Sequence, residues 1–271
     1  VLTNIKLTKI RNHTSMLESA LFPDYLPTTV FTNLVDVVKE NIDVVSEFNA
    51  LKQEALGVEE LHFYDNYIPL VVDVDKEYSY EETIDLVRTA LEPLGSEYSR
   101  KYDATVNARV IDVFESAGKR SGAFSWGSYA SRGLVFLNHT GKFSDVSTFA
   151  HEFGHCLHRD YSIGNQPYLY YQNPIFLAEI ASTFNEALLF DHMSKIAVSL
   201  EDKKFFLYHN MKRIEATFFR QTMFASFEKE IHEMAESGQV LIAKSITDVY
   251  RKNLETYLGN GMIIDEQLHC E

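Results

Sequence analysis

The sequence predicts a mainly α protein carrying a small antiparallel β-sheet, and three observations lead there. Apolar residues recur at helical spacing through the first hundred residues and again from residue 143 to about 258. Between those stretches, Gly118, Gly122, Gly127 and Gly133 punctuate two short extended runs, 123–129 and 134–138, which read as an antiparallel hairpin. Only 6 prolines occur in 271 residues, so few flexible linkers are expected.

In chain order, a short helix over 15–21 stops at Pro23. Pro27 stands at the first turn of a helix expected to run unbroken to about Ala55, with Val30, Leu34, Val37, Val38, Val44, Val45, Phe48 and Leu51 on its apolar stripe. Gly57 supplies its stop. Residues 61–74 read as a loop or short extended run. Ser79 with Glu82 three residues on forms a capping box that opens a helix to Leu91; Pro93 interrupts it, and it resumes to about Tyr102. After the hairpin, Asp145 or Ser144 is the candidate N-cap of a helix through residues 149–158. A loop with Gly164, Pro167 and Tyr161, Tyr168, Tyr170 and Tyr171 follows, and Asn173-Pro174 starts the next helix, 175–194. Ser199 with Asp202 opens a helix of nearly forty residues ending near Gly238. Its apolar coverage, including Phe205, Phe206, Ile214, Phe218 and Met223, is broader than one stripe, which predicts a central buried helix. A last helix covers 245–258 and stops at Gly259.

Composition excludes some functions. Hydrophobic residues at 45% and charged residues at 24% are ordinary for a soluble globular protein. The formal charge of −14 argues against a nucleic-acid partner, which needs concentrated Lys and Arg, and reads as a solvated acidic surface. No run of 18 apolar residues suggests a membrane span, and residues 1–20 carry no signal-peptide pattern. The two cysteines, Cys156 and Cys270, are expected to be reduced thiols in a cytoplasmic protein, Cys156 as a small buried residue.

The chemistry is concentrated in Phe149-Ala150-His151-Glu152-Phe153-Gly154-His155-Cys156-Leu157-His158. His151 and His155 are four residues apart, hence stacked on one helical face, where two neutral imidazoles can chelate a Zn²⁺. Glu152 beside them can act as general base on a water without being a ligand. Chance alone gives roughly 0.03 such matches in a chain of this composition, so the pattern needs a third ligand to stand. His158 is about two turns from His151 and cannot easily share its ion. Glu179 is the better candidate: it lies near the start of the next helix among Ile175, Phe176, Leu177 and Ile180, where an unused buried carboxylate would be costly. Glu186 faces the same way and could hydrogen-bond a liganding histidine, with Asp145 a weaker candidate for that role. The first hairpin run could pair with an extended peptide by strand addition, or could simply shield the core.

Four runs together resemble oligoendopeptidase F, of the thimet oligopeptidase family of zinc peptidases. They are Gly118-Lys119-Arg120-Ser121-Gly122-Ala123-Phe124, Phe149 to His155, Phe176-Leu177-Ala178-Glu179-Ile180-Ala181-Ser182-Thr183-Phe184-Asn185-Glu186, and Arg220-Gln221-Thr222-Met223-Phe224-Ala225. The resemblance implies a zincin-like metallopeptidase catalytic core, a channel that excludes folded proteins, and short peptides as substrates. It implies one Zn²⁺ per chain on His151, His155 and Glu179, Glu152 as catalytic base, and a substrate-pairing edge at Ala123, Phe124, Ser125, Trp126 and Gly127. On this basis residues 1–271 form a single catalytic-region unit: a helical layer 1–106, a β-hairpin 118–138, zinc helices 143–198 and C-terminal helices 199–258. Members of that family are roughly twice as long, so the chain is expected to be a fragment without their N-terminal domain and C-terminal segment. Surfaces exposed by such truncation give it a route to self-association. The expectation is therefore a zinc-dependent endopeptidase; the rival is a truncated zinc- or peptide-binding domain without turnover.

Overall fold

The computed structural model describes residues 1–71 and 76–265; the expectation for Cys270 lies outside them. The chain begins with α1 (Leu2–Ile10), α2 (Met16–Leu21), α3 (Thr28–Glu40) and α4 (Asp43–Leu56), then β1 (Leu61–His62). Next come α5 (Tyr80–Ala90), α6 (Ser96–Asn107), β2 (Ile111–Asp112), β3 (Phe124–Trp126) and β4 (Leu134–Phe136). The remainder is α7 (Phe143–Asn165), α8 (Ile175–Ile196), α9 (Leu200–Ile214), α10 (Arg220–Glu236), α11 (Ala243–Tyr257) and β5 (Met262–Ile263). The described residues fall into two compact units, 1–71 with 208–265, and 76–207.

The first unit packs Val38, Met223, Leu254 and Tyr257 at its centre and pairs β1 with β5 in parallel. The helix expected to run unbroken from Pro27 to Ala55 is two helices. Asn41 turns its side chain back, its Nδ2 donating to the Val37 carbonyl at 2.8 Å. That bond satisfies the end of α3 locally and lets the chain restart at Asp43. Helix α1 carries no signal in the sequence because its apolar residues are spread around the axis. The long helical path from α9 to α10 exists, but a five-residue π turn, Glu215–Phe219, joins its halves. It is also less buried than expected: Ile214 and Phe218 are each 44% exposed.

The second unit holds the candidate site. Ser79 and Glu82 make the expected capping box at the start of α5. Strand β4 is the centre of a three-stranded sheet, antiparallel to β3 with Ser125 opposite Val135, and parallel to β2 with Ile111 opposite Val135. The sheet is thus mixed rather than purely antiparallel; β2 is too short to show an alternation. Helix α7 buries Phe149, Ala150, Phe153 and Leu157 completely. These positions, i, i+1, i+4 and i+8, make one stripe, and the rings of Phe149 and Phe153 meet Tyr102 from α6. Each such ring contributes about 2–3 kcal/mol of burial. The opposite side of the same helix carries His151 and His155.

Helices α7 and α8 meet backbone to backbone at Gly154. A Cβ there would lie 2.5 Å from Ser182 Cα and 2.7 Å from the Ala181 carbonyl oxygen. Only glycine permits that approach, and the approach brings the start of α8 within reach of the histidines.

Candidate active site

Helix α7 starts at a capping box in which Lys142 is the N-cap and Asp145 the third helical residue. Asp145 Oδ2 accepts from the Thr140 and Lys142 backbone N–H groups at 2.7 and 3.1 Å and from Thr140 Oγ1 at 2.9 Å. The expected N-cap, Asp145 or Ser144, is therefore displaced by two or three residues. Asp145 is occupied in starting the helix, and the structure does not bring it to a histidine.

One turn further along, the imidazoles converge. His151 Nε2 and His155 Nε2 are 3.1 Å apart, and Glu179 Oε2 lies 3.3 Å from each. Three ligand atoms bound about one tetrahedral ion at 2.0–2.1 Å would stand about 3.3–3.4 Å apart. The observed triangle matches, so the two imidazoles and the carboxylate could hold one metal ion. Glu179 arrives there differently from the sequence argument. Its side chain is 57% exposed, and Ile175, Phe176 and Ile180 around it are exposed as well. The oxygen is aimed by Ser182, whose buried Oγ donates to Glu179 Oε2 at 2.7 Å.

The supporting groups set ring orientation and charge. Glu186 Oε1 lies 3.2 Å from His151 Nδ1, which leaves Nε2 directed at the cluster. Burial would lower the His151 pKa, but the hydrogen bond and charge of Glu186 outweigh it and raise the value. Burial lowers the His155 pKa against the pull of Glu179, and a backbone hydrogen bond to Ala178 holds that ring. Asn185, buried, donates to the Ala150 carbonyl at 3.1 Å and accepts from the Tyr98 hydroxyl at 3.1 Å. It locks α8 onto α7 one residue before His151. The sequence reading missed both contacts, because neither a backbone carbonyl nor a tyrosine on a distant helix leaves a trace in a motif.

Glu152 is 6% exposed. Burial pushes its carboxyl up to about 7, against the lowering influence of His151 and of a hydrogen bond from the Ser125 backbone. Among the described residues, its Oε2 is buried without a hydrogen-bond partner, leaving acceptor capacity beside the cluster.

The residues 123–127 run past this helix. Strand β3 pairs with β4 on one side, and its other edge is unpaired among the described residues. Phe124 and Trp126 are exposed on one face, with Phe124 stacked on Phe136 at 4.7 Å. Ser125 points the other way, toward α7, and accepts from Arg159 Nη2 at 3.3 Å. Tyr129, Tyr168 and Tyr171 pack ring against ring and join the β3–β4 turn to the loop after α7. His158 and Cys156 stay outside the ligand cluster, and Cys156 is buried, as expected.

Two long helices in contact bring two histidines and a glutamate together beside a buried glutamate and a strand edge, an arrangement that could hold a metal ion next to a buried carboxylate. The chain belongs to peptidase family M3, whose profile matches residues 1–271. It is 38% identical over 266 residues to oligopeptidase PepF of Bacillus subtilis (strain 168), covering 97% of this chain and 39% of that protein. It is 35% identical over 261 residues to the chromosomal oligoendopeptidase F of Lactococcus lactis subsp. cremoris, covering 95% and 43%. Among solved structures, one from Chlamydophila abortus superposes with a TM-score of 0.85 at 40% identity, over 98% of this chain and 44% of that one. Oligoendopeptidase F from Enterococcus faecium superposes with a TM-score of 0.68 at 26% identity, over 96% and 39%. The chain thus spans about two-fifths of the length of these relatives.

Proposed function

We propose that this chain carries the site of a zinc-dependent endopeptidase that hydrolyses short oligopeptides, with Glu152 as general base. The observation that carries the reading is the convergence of three ligand atoms, 3.1–3.3 Å apart, next to a buried carboxylate. His151, His155 and Glu179 would hold one Zn²⁺. When bound, the ion supplies Lewis acidity, polarising a scissile carbonyl and lowering the pKa of a water.

The remaining work falls to the chain's own groups. Glu152, with its proton affinity raised by burial, takes a proton at its carboxylate and delivers it to the leaving amine. Glu186 keeps the His151 ring in one orientation through Nδ1. The open edge of β3, from Ala123 through Phe124, Ser125 and Trp126 to Gly127, offers main-chain groups to an extended peptide, which gives affinity with little dependence on side-chain sequence. The peptidase names of the relatives support peptides as the substrate class.

The test is Glu152→Gln. It should retain zinc at one equivalent and abolish cleavage of a quenched-fluorescent peptide. Cleavage at an unchanged rate would overturn the mechanism. Zinc at one equivalent in a parent chain that cleaves nothing would instead identify a metal-binding domain without turnover.

A further inference from the structure

Gly127 and Gly133 flank the β3–β4 turn, and neither has the positive φ that would itself call for glycine. What they share is Arg159, two turns along α7 from His151. A Cβ on Gly127 would lie 2.9 Å from Arg159 Nε, and one on Gly133 would lie 2.1 Å from Arg159 Nη2. The guanidinium therefore fills the space that a side chain at either end of the turn would need, and Cys156 Sγ stands 2.9 Å from the same position at Gly133. From there Nη2 donates to Ser125 Oγ at 3.3 Å and approaches Cys156 Sγ at 3.7 Å. Ser125 is the middle residue of β3, and its backbone N–H is the group that hydrogen-bonds Glu152.

We propose that Arg159 is a positioning residue: by gripping Gly127, Gly133 and Ser125 it fixes the height of strand β3 over α7, and so the alignment of the peptide-pairing edge with Glu152 and the His–His–Glu cluster. The inference rests on the peptidase reading above. The planar fork packs beside both glycines while it reaches the Ser125 hydroxyl, which a lysine ammonium cannot do. A side chain that acts this way matters most to substrates long enough to lie along β3. A displacement of about 1 Å in bound geometry is enough to cost roughly 100-fold in rate.

The test uses Arg159→Ala, Arg159→Lys, Gly133→Ala and the double variant Arg159→Ala/Gly133→Ala in the zinc-loaded chain. Three readouts are taken: zinc affinity, amide hydrogen exchange over 124–126, and kcat/KM for an eight-residue peptide against a dipeptide anilide. The expected result is zinc affinity within threefold of the parent and exchange over 124–126 faster by tenfold or more. The kcat/KM loss should be at least ten times larger for the long peptide than for the short one. Arg159→Lys should not rescue. Gly133→Ala, whose methyl displaces the same guanidinium and also meets Cys156 Sγ at 2.9 Å, should lose at least as much as Arg159→Ala, and the double variant should lose no more than Gly133→Ala alone. Exchange over 124–126 within twofold of the parent in Arg159→Ala would overturn the proposal. So would equal losses on long and short substrates accompanied by a matching fall in zinc affinity, which marks a merely structural side chain. If the parent cleaves neither substrate, the peptidase reading fails, and the exchange and double-variant results still decide the role of Arg159.

Discussion

Gly154→Ala gives the most discriminating perturbation, because two opposite outcomes are on offer. In an unobstructed helix the substitution stabilises by up to about 1 kcal/mol through helix propensity. Here the new methyl would sit 2.5 Å from Ser182 Cα and 2.7 Å from the Ala181 carbonyl oxygen, backbone atoms that cannot swing aside. Restoring an ordinary contact of about 3.4 Å requires α8 to retreat by about 1 Å locally. Overpacking of this kind costs about 1–3 kcal/mol; with backbone on both sides the upper end applies, leaving a net loss of about 2 kcal/mol. The retreat also carries Glu179, three residues from Ser182, away from the histidines by several times the 0.2 Å or so that a metal site tolerates. Thermal unfolding of the metal-free chain and zinc affinity by chelator competition measure the two effects. A lower Tm with zinc affinity reduced tenfold or more is expected. A raised Tm with unchanged zinc affinity would refute the close packing of α7 on α8.

The other expectations concern charge and metal. Glu186→Gln should lower zinc affinity by roughly 10–100-fold, read by competition, since it weakens the acceptor that orients His151. Chelation should lower the Tm and added zinc should restore it, the increment growing with free zinc as expected for a ligand that binds only the folded chain. Lys52 gives a pH signature: its side chain is fully buried, its Nζ has Asn66 Oδ1 at 3.4 Å, and burial lowers its pKa to about 8. Between pH 8 and about 10.5 the unfolded chain holds a proton that the folded chain has released, so stability should rise with pH through that window, by about 3 kcal/mol at most. Lys52→Met should flatten that rise and be more stable at neutral pH, checked by urea unfolding at several pH values.

Much of the site was legible because its parts obey local rules. A four-residue spacing puts two imidazoles on one face, and a capping box or an Asn-Pro pair marks a helix start. Glu179 was singled out for a reason that only half survives: it does lie beside the two histidines, but the carboxylate is held by Ser182 at the surface rather than enclosed by apolar neighbours. Asp145 was read both as a helix cap and as a weaker partner for a histidine; it serves the backbone at the helix start, from the third position rather than the cap, and sequence does not tell which role such an acidic residue takes. The break at Asn41 and the pairing of β2 with β4 depend on a single side-chain-to-backbone bond and on two residues of register, signals too small for periodicity to carry. Arg159 and Asn185 were invisible because their partners, Ser125 for one and Tyr98 and the Ala150 carbonyl for the other, lie on elements distant in sequence.

The central claim is that His151, His155 and Glu179 form one metal site. Its most direct test is a zinc titration of the metal-free chain, with Glu179→Ala in parallel. The account predicts saturation at one zinc per chain and an affinity at least 100-fold weaker in the variant. Absence of binding in the parent, or equal affinity in the two proteins, would contradict it.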